Sequence, residues 1–227
     1  MSISETNNTQ VTPAELKTIF VFGPYGSGTT AVTGVLMRLG GKNYSGLSQT
    51  NDPRTPTSLE DLSFKSVLHE LIDESILGIR STVSEQIALD KLTDFRMKLE
   101  HDCAQNPSDT APYIMKQPMA ALLLQQIQKV FNPQIIYVTR SLEQIERSRI
   151  RRQWDVLMGA QGARLLFHFM MGAVVDHGVQ PVWIHYSQLE KNPAEVVDTL
   201  ASIMGIPVAD SKKAEAQAWL TSHSLAN

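Results

Sequence analysis

Two apolar rhythms alternate along this chain. Short, nearly unbroken apolar runs at residues 18–22 (Thr-Ile-Phe-Val-Phe), 112–116, 134–139 (Gln-Ile-Ile-Tyr-Val-Thr) and 181–185 read as strands buried on both faces, the signature of a parallel sheet. Between them the apolar positions recur at helical spacing. Ala31, Val32, Val35, Leu36 and Leu39 predict a helix after the first strand, stopped by Gly40-Gly41 in the manner of a left-handed C-cap. A pair of helices is expected next, over 58–77 with Ser58 as N-cap and over 83–103 with Ile87, Leu92, Phe95 and Leu99 on its apolar side. Helical patterns also cover 118–131, 160–176, 193–205 and 212–222, and Ser141 with Gln144 makes a capping box for a helix reaching about residue 154. The apolar stretch 165–175 is too short to span a bilayer and reads as a buried helix, with Phe167, His168, Phe169, Met170 and Met171 as core. The polar stretch 42–57, rich in Asn, Ser, Thr, Gly and Pro, is the longest expected loop. Sustained strand–helix alternation predicts an α/β fold of three layers, α/β/α, around a mainly parallel central sheet.

Composition narrows this picture. A length of 227 residues fits one domain over 16–227 with a helical insert at about 58–105, behind a polar tail at 1–15 expected to be disordered. The formal net charge of -3 provides no global field to recruit nucleic acid or an acidic membrane, so any anion site must be local. Cys103, the only cysteine, excludes an internal disulfide and a cysteine-built zinc site. Residues 1–10 show neither the basic start nor the apolar centre of an export signal, and a cytoplasmic location is expected.

The candidate chemistry starts at the first strand, which runs directly into Gly23-Pro-Tyr-Gly26-Ser27-Gly28-Thr29-Thr30. Glycines at 23, 26 and 28 allow positive φ and close approach, and the following helix adds the positive end of its dipole, so the turn reads as a phosphate cradle. Against the Walker pattern G-x-x-x-x-G-K-[ST], Gly23 and Gly28 match, Thr29 stands where lysine belongs, and Thr30 supplies the hydroxyl, so the expected three-layer α/β/α fold is of the P-loop nucleotide-binding type. The strands end in Lys116, Arg140 and His185 or Tyr186 rather than in an acidic residue that would hold magnesium. Ligands of open α/β sheets lie off the carboxyl ends of the strands, so these basic tips point to an anion held without metal. Arg140 at a strand tip and Ser148, on the next helix with Arg151 and Arg152, suggest a second phosphate pocket separate from the cradle. Arg147 and Arg149 read as a solvated face paired with Glu143 and Glu146.

At these residues the chain resembles the sulfotransferases that use 3′-phosphoadenosine 5′-phosphosulfate (PAPS). Ser27-Gly28-Thr29-Thr30 matches that family's turn for the 5′-phosphosulfate, and Arg140 with Ser148 eight residues on matches its grip on the 3′-phosphate. The segment 184–193, followed by Met204-Gly205-Ile206, is similar to the family's later strand and helix. The resemblance implies a PAPS cofactor contacted by Gly26, Ser27, Gly28, Thr29, Thr30, Arg140 and Ser148, no metal, and a small-molecule or glycan acceptor. It departs at Gly26, where many members carry lysine. Lys116 is the first candidate to replace that lysine, ahead of Arg54 and Arg151, although a lysine snorkelling from a strand end into solvent has the same pattern. The family's catalytic base follows the first helix, which nominates Glu60 and, behind it, Asp61 and His69. Glu60 would equally suit the first turn of a helix capped by Ser58. Two other readings stay open: a degenerate P-loop small-molecule kinase, and a nucleotide-binding protein without turnover. Neither the acceptor nor the oligomeric state is written in the pattern.

Overall fold

The structure, a computed structural model, describes residues 15–52 and 55–225. The expected tail at 1–15 and Arg54 fall, but for residue 15, outside the described residues. Four parallel strands, β1 (Thr18–Phe22), β6 (Tyr113–Lys116), β7 (Gln134–Thr139) and β8 (Val182–His185), form the central sheet in the order β6-β1-β7-β8. Register is fixed by pairs such as Phe20↔Met115, Phe20↔Ile135 and Val138↔Ile184.

Every β1 side chain is buried, because helices cover both faces. Ile19 and Val21 point to one face and pack with α1 (Thr29–Arg38), α8 (Pro193–Ile203) and α9 (Asp210–Leu225). Phe20 and Phe22 point to the other, against α2 (Leu62–Leu71), α3 (Glu85–Gln105), α4 (Leu124–Phe131) and α6 (Ala160–His177). The period-two alternation of a pleated strand thus feeds two cores, which makes the three-layer α/β/α architecture. The remaining helices are α5 (Leu142–Arg152) and α7 (Tyr186–Lys191).

Departures from the expected elements are local. The helix expected over 58–77 begins later: Thr57–Asp61 is strand β3, paired antiparallel with β2 (Leu47–Gln49) from the expected loop. Asp61, not Ser58, is the N-cap of α2, since its carboxylate accepts from the backbone N–H groups of Ser63 and Phe64. That helix stops at a small hairpin of β4 (Ile72–Asp73) and β5 (Gly78–Ile79). Only half of the box at Ser141 forms; its hydroxyl accepts from the Gln144 N–H. A complete capping box instead joins His185 and Gln188 and starts α7, a helix the periodicity did not reveal.

Two core assignments also change. In α3 the buried stripe is Ala88, Leu92, Phe95, Leu99 and Cys103, while Ile87 is exposed. In α6 Leu166, Met170 and Ala173 face the sheet, and Phe167, His168 and Phe169 are exposed. An unbroken apolar run cannot say which third of a helix meets the core; the partner layer decides.

Candidate functional site

The carboxyl ends of β6, β1 and β7 open side by side onto a cavity of about 720 Å³. That volume falls within the range of roughly 300–1,000 Å³ typical of small-ligand sites.

The glycine turn forms one wall. Gly23, Gly26 and Gly28 hold φ values of 147°, 74° and 104°, conformations that disfavour a side chain. A Cβ on Gly28 would lie 2.5 Å from the Tyr186 ring, and one on Gly26 would lie 3.2 Å from Cβ of Ser148. Gly28 is the N-cap of α1 and offers no side-chain cap; the Ala31 N–H turns back to the Gly28 carbonyl at 3.0 Å, and the Thr29 and Thr30 amides at the positive end of the helix receive no side-chain cap. Gly26, Gly28, Thr29 and Thr30 line the cavity. Ser27 is fully buried beneath the turn, with its hydroxyl unpartnered, and can contribute only its backbone there.

Arg140, just beyond β7, reaches back over this wall. Its Nη1 donates to the Gly26 carbonyl at 3.1 Å and lies 3.5 Å from the Ser148 hydroxyl on α5. Its guanidinium lies 3.7 Å over the Tyr186 ring, and its Nε is buried without a partner. Burial pulls its pKa below the usual arginine value, yet a guanidinium keeps its proton. The two expected phosphate pockets therefore adjoin. They share the Gly26 wall, because α5 packs directly against the turn.

The third wall comes from β3 and β6. Lys116, 4% exposed, donates from Nζ to Glu60 Oε1 at 2.9 Å and to the Ser58 carbonyl at 3.0 Å. It is buried at the strand tip rather than snorkelling into solvent. Lys65, in the first turn of α2, lies 3.1 Å from Glu60 Oε2. Burial pushes the Glu60 carboxyl up, but the two ammonium groups outweigh it and hold the pKa below the ordinary value. Between Ser58 and Glu60, Leu59 sits at φ 57°, a left-handed conformation that costs a non-glycine residue about 1–2 kcal/mol. Asp61 is consumed by its cap and by Tyr44 and Ser45, and His69 is exposed near the end of α2. Of the three nominated bases, only Glu60 lines the cavity.

Further lining comes from Tyr25, Glu74 and Gln117, whose spacing carried no signal, and from Arg151 and Arg152, expected beside Ser148. Tyr25 donates its hydroxyl to Glu74 at 2.9 Å and packs edge-on to Trp154; burial, then the Glu74 charge, pushes its pKa well up. Gln117 follows Lys116 into the wall. Arg151 and Arg152 line the cavity too, and Arg152 pairs with Asp52 at 3.0 Å. Arg147 and Arg149 pair instead with Glu143 and Glu146. Lys65 and Glu74 carry no signal in a pattern that predicts one helix over 58–77, since their direction depends on the strand and hairpin there.

No family model and no curated protein sequence matches the chain. Solved structures do. The sulfotransferase STF1 of Mycobacterium tuberculosis superimposes with a TM-score of 0.59 at 14% identity, over 91% of this chain and 72% of its own. The sulfotransferase STF9 of Mycobacterium avium gives 0.55 at 14% identity, over 95% and 71%. The sulfotransferase domain of the Synechococcus PCC 7002 olefin synthase gives 0.53 at 15% identity, over 88% and 78%. The fold is of the sulfotransferase type. At such identity the likeness concerns the path of the chain, so roles must come from this chain's own side chains. In this sulfotransferase-type fold the cations of the cavity come from two strand tips (Lys116 and Arg140), from Lys65 of α2 and from Arg151 and Arg152 of α5, and among the described residues no group of three or more His, Cys, Asp and Glu could hold a metal ion. No described helix is long and apolar enough to cross a membrane.

Proposed function

We propose that the protein is a sulfotransferase that takes a sulfuryl group from PAPS and delivers it to a hydroxyl or amine of an acceptor. The observation that carries this reading is the convergence of Arg140, Ser148 and the Gly26 carbonyl on the rim of an uncapped glycine turn. A ligand with a phosphate at each end of an adenosine needs such paired grips, and a nucleotide with one phosphate chain does not.

The residues fit that ligand. The orphaned Nε of Arg140, aligned over Tyr186, offers a charge-assisted donor to a 3′-phosphate, supported by the Ser148 hydroxyl. Thr29, Thr30 and the first-turn amides of α1 suit the 5′ end. When bound, PAPS supplies an activated sulfuryl group whose departure leaves a phosphate oxygen with added negative charge. Lys116 and Lys65 place fixed positive charge at the β6 side of the cavity, where they can stabilise that charge in place of the lysine missing at Gly26. Glu60, held ionised, is the proposed proton acceptor for the incoming nucleophile, and it also fixes Lys116 in place. The location proposed is cytoplasmic, with neither membrane nor nucleic acid as partner.

Calorimetry with 3′-phosphoadenosine 5′-phosphate (PAP) and with AMP tests the reading. Arg140→Ala is expected to weaken PAP binding by about 1.5–3 kcal/mol, the scale of a hydrogen bond to a charged group, while AMP barely changes. Equal losses for both ligands would show that the distal grip is misassigned. Magnesium-dependent ATP binding with no preference for a 3′-phosphate would favour a kinase instead.

A further inference from the structure

Gln117 is unexplained by the proposal above. It follows Lys116 at the tip of β6, lines the cavity, and is 2% exposed. Its carboxamide oxygen Oε1 is buried and has no hydrogen-bond partner among the described residues. A buried carbonyl oxygen without a donor loses its water and gains nothing, so a methionine or leucine of similar volume would serve the wall better if packing were the only demand. The polar atom therefore points to a ligand.

The chemistry of the atom narrows that ligand. An amide oxygen accepts hydrogen bonds and cannot bind phosphate or sulfate oxygens, which also only accept. Its partner must carry O–H or N–H. Adenosine has such groups, but sheet order separates it from Gln117: the grip of Arg140, Ser148 and Tyr186 lies off β7 and β8, whereas Gln117 lies off β6, with β1 and the glycine turn between them. On the β6 side stand Lys116, Lys65 and Glu60, the groups assigned above to the reacting end.

We propose that Gln117 is a specificity residue for the sulfuryl acceptor, accepting a hydrogen bond from a hydroxyl or amine that the acceptor carries beside its reacting group. The inference rests on the sulfotransferase reading. It implies an acceptor with at least two polar hydrogens in reach of one another, such as a polyol, a sugar or an amino alcohol, and disfavours a simple monohydric phenol.

Gln117→Met tests this in three measurements on the full chain. The melting temperature without ligand should rise, by about 3 °C, because an apolar side chain of similar size replaces an orphaned polar atom. A fall instead would mean that the carboxamide is satisfied by the protein itself and would overturn the inference. PAP affinity should stay within about twofold of wild type; a tenfold loss would assign Gln117 to the nucleotide. Finally, a cell extract containing both small molecules and glycans is incubated with the enzyme and sulfur-35-labelled PAPS, and the labelled products are quantified. The variant should form at least tenfold less of the main product, with Gln117→Asn retaining more than Gln117→Met. Unchanged labelling by Gln117→Met overturns the assignment of Gln117 alone. If wild type binds PAP but labels nothing, the transferase reading fails and this inference fails with it, and the first two measurements still show whether the orphaned oxygen belongs to the cavity.

Discussion

Gly26 is the residue at which this chain departs from the sulfotransferases it resembles, and its surroundings supply a reason. Its φ of 74° and the 3.2 Å approach of a notional Cβ to Ser148 leave little room for a side chain, while its carbonyl anchors Arg140. Reintroducing the common residue should therefore harm: Gly26→Lys is expected to lower both the melting temperature and PAP affinity, measured by thermal denaturation and calorimetry. Glu60 carries the second residue-scale prediction. Its pKa in the folded chain is depressed, so its pairing stabilises the fold above the ordinary glutamate range, near pH 4.3, and that contribution disappears as pH falls through the folded value. Urea unfolding should find Glu60→Ala less stable than wild type by about 3 kcal/mol at pH 7, the scale of stranding a buried partner, with the two converging in acid. If Glu60 is the base, the acid limb of the transfer rate also lies below pH 4.3, and the rate stays level from about pH 5 toward neutrality. The candidate residues were legible where a fixed spacing ties side chain to backbone, as in the glycine turn and the Arg140–Ser148 pair. Lys65, Glu74 and Gln117 were not, since nothing local says that they face one cavity.

At the level of elements, caps and close contacts decided what periodicity left open. Asp61 begins α2 because a carboxylate one residue before Leu62 can take two free N–H groups, while Thr57 and Ser58 are drawn into pairing with β2. Asp61→Ala should cost about 2 kcal/mol, the upper end for a helix cap, because the same carboxylate also holds the Tyr44 and Ser45 N–H groups; chemical denaturation would measure it. The contact between α1 and α9 gives a prediction against propensity. Gly34 lies mid-helix in α1, where alanine normally gains about 1 kcal/mol. Here a Cβ would sit 2.0 Å from the Trp219 ring, so Gly34→Ala should destabilise by about 1–3 kcal/mol through overpacking. A stabilised variant would show that Trp219 is free to move aside.

For the molecule as a whole, the sheet order matters most. Placing β1 between β6 and β7 sets the glycine turn at the centre, with the Arg140 grip on one side and the Lys116–Glu60 pair on the other. A ligand that spans these groups binds the folded chain only. PAP at a hundredfold excess over its dissociation constant should then stabilise the protein by about 2.7 kcal/mol, which raises the melting temperature by roughly 5–10 °C for a chain of this size. AMP at the same concentration should give a clearly smaller rise.

The order of the four central strands with the main helices between them, the parallel sheet and the glycine turn were determined by the chain's own pattern, because each follows from apolar period and backbone freedom over a few residues. Tertiary structure decided which helix faces are buried, where α2 starts and which charges meet. Glu60, Lys65 and Lys116 come from three different elements, and neighbours in space but not in sequence leave no period to read.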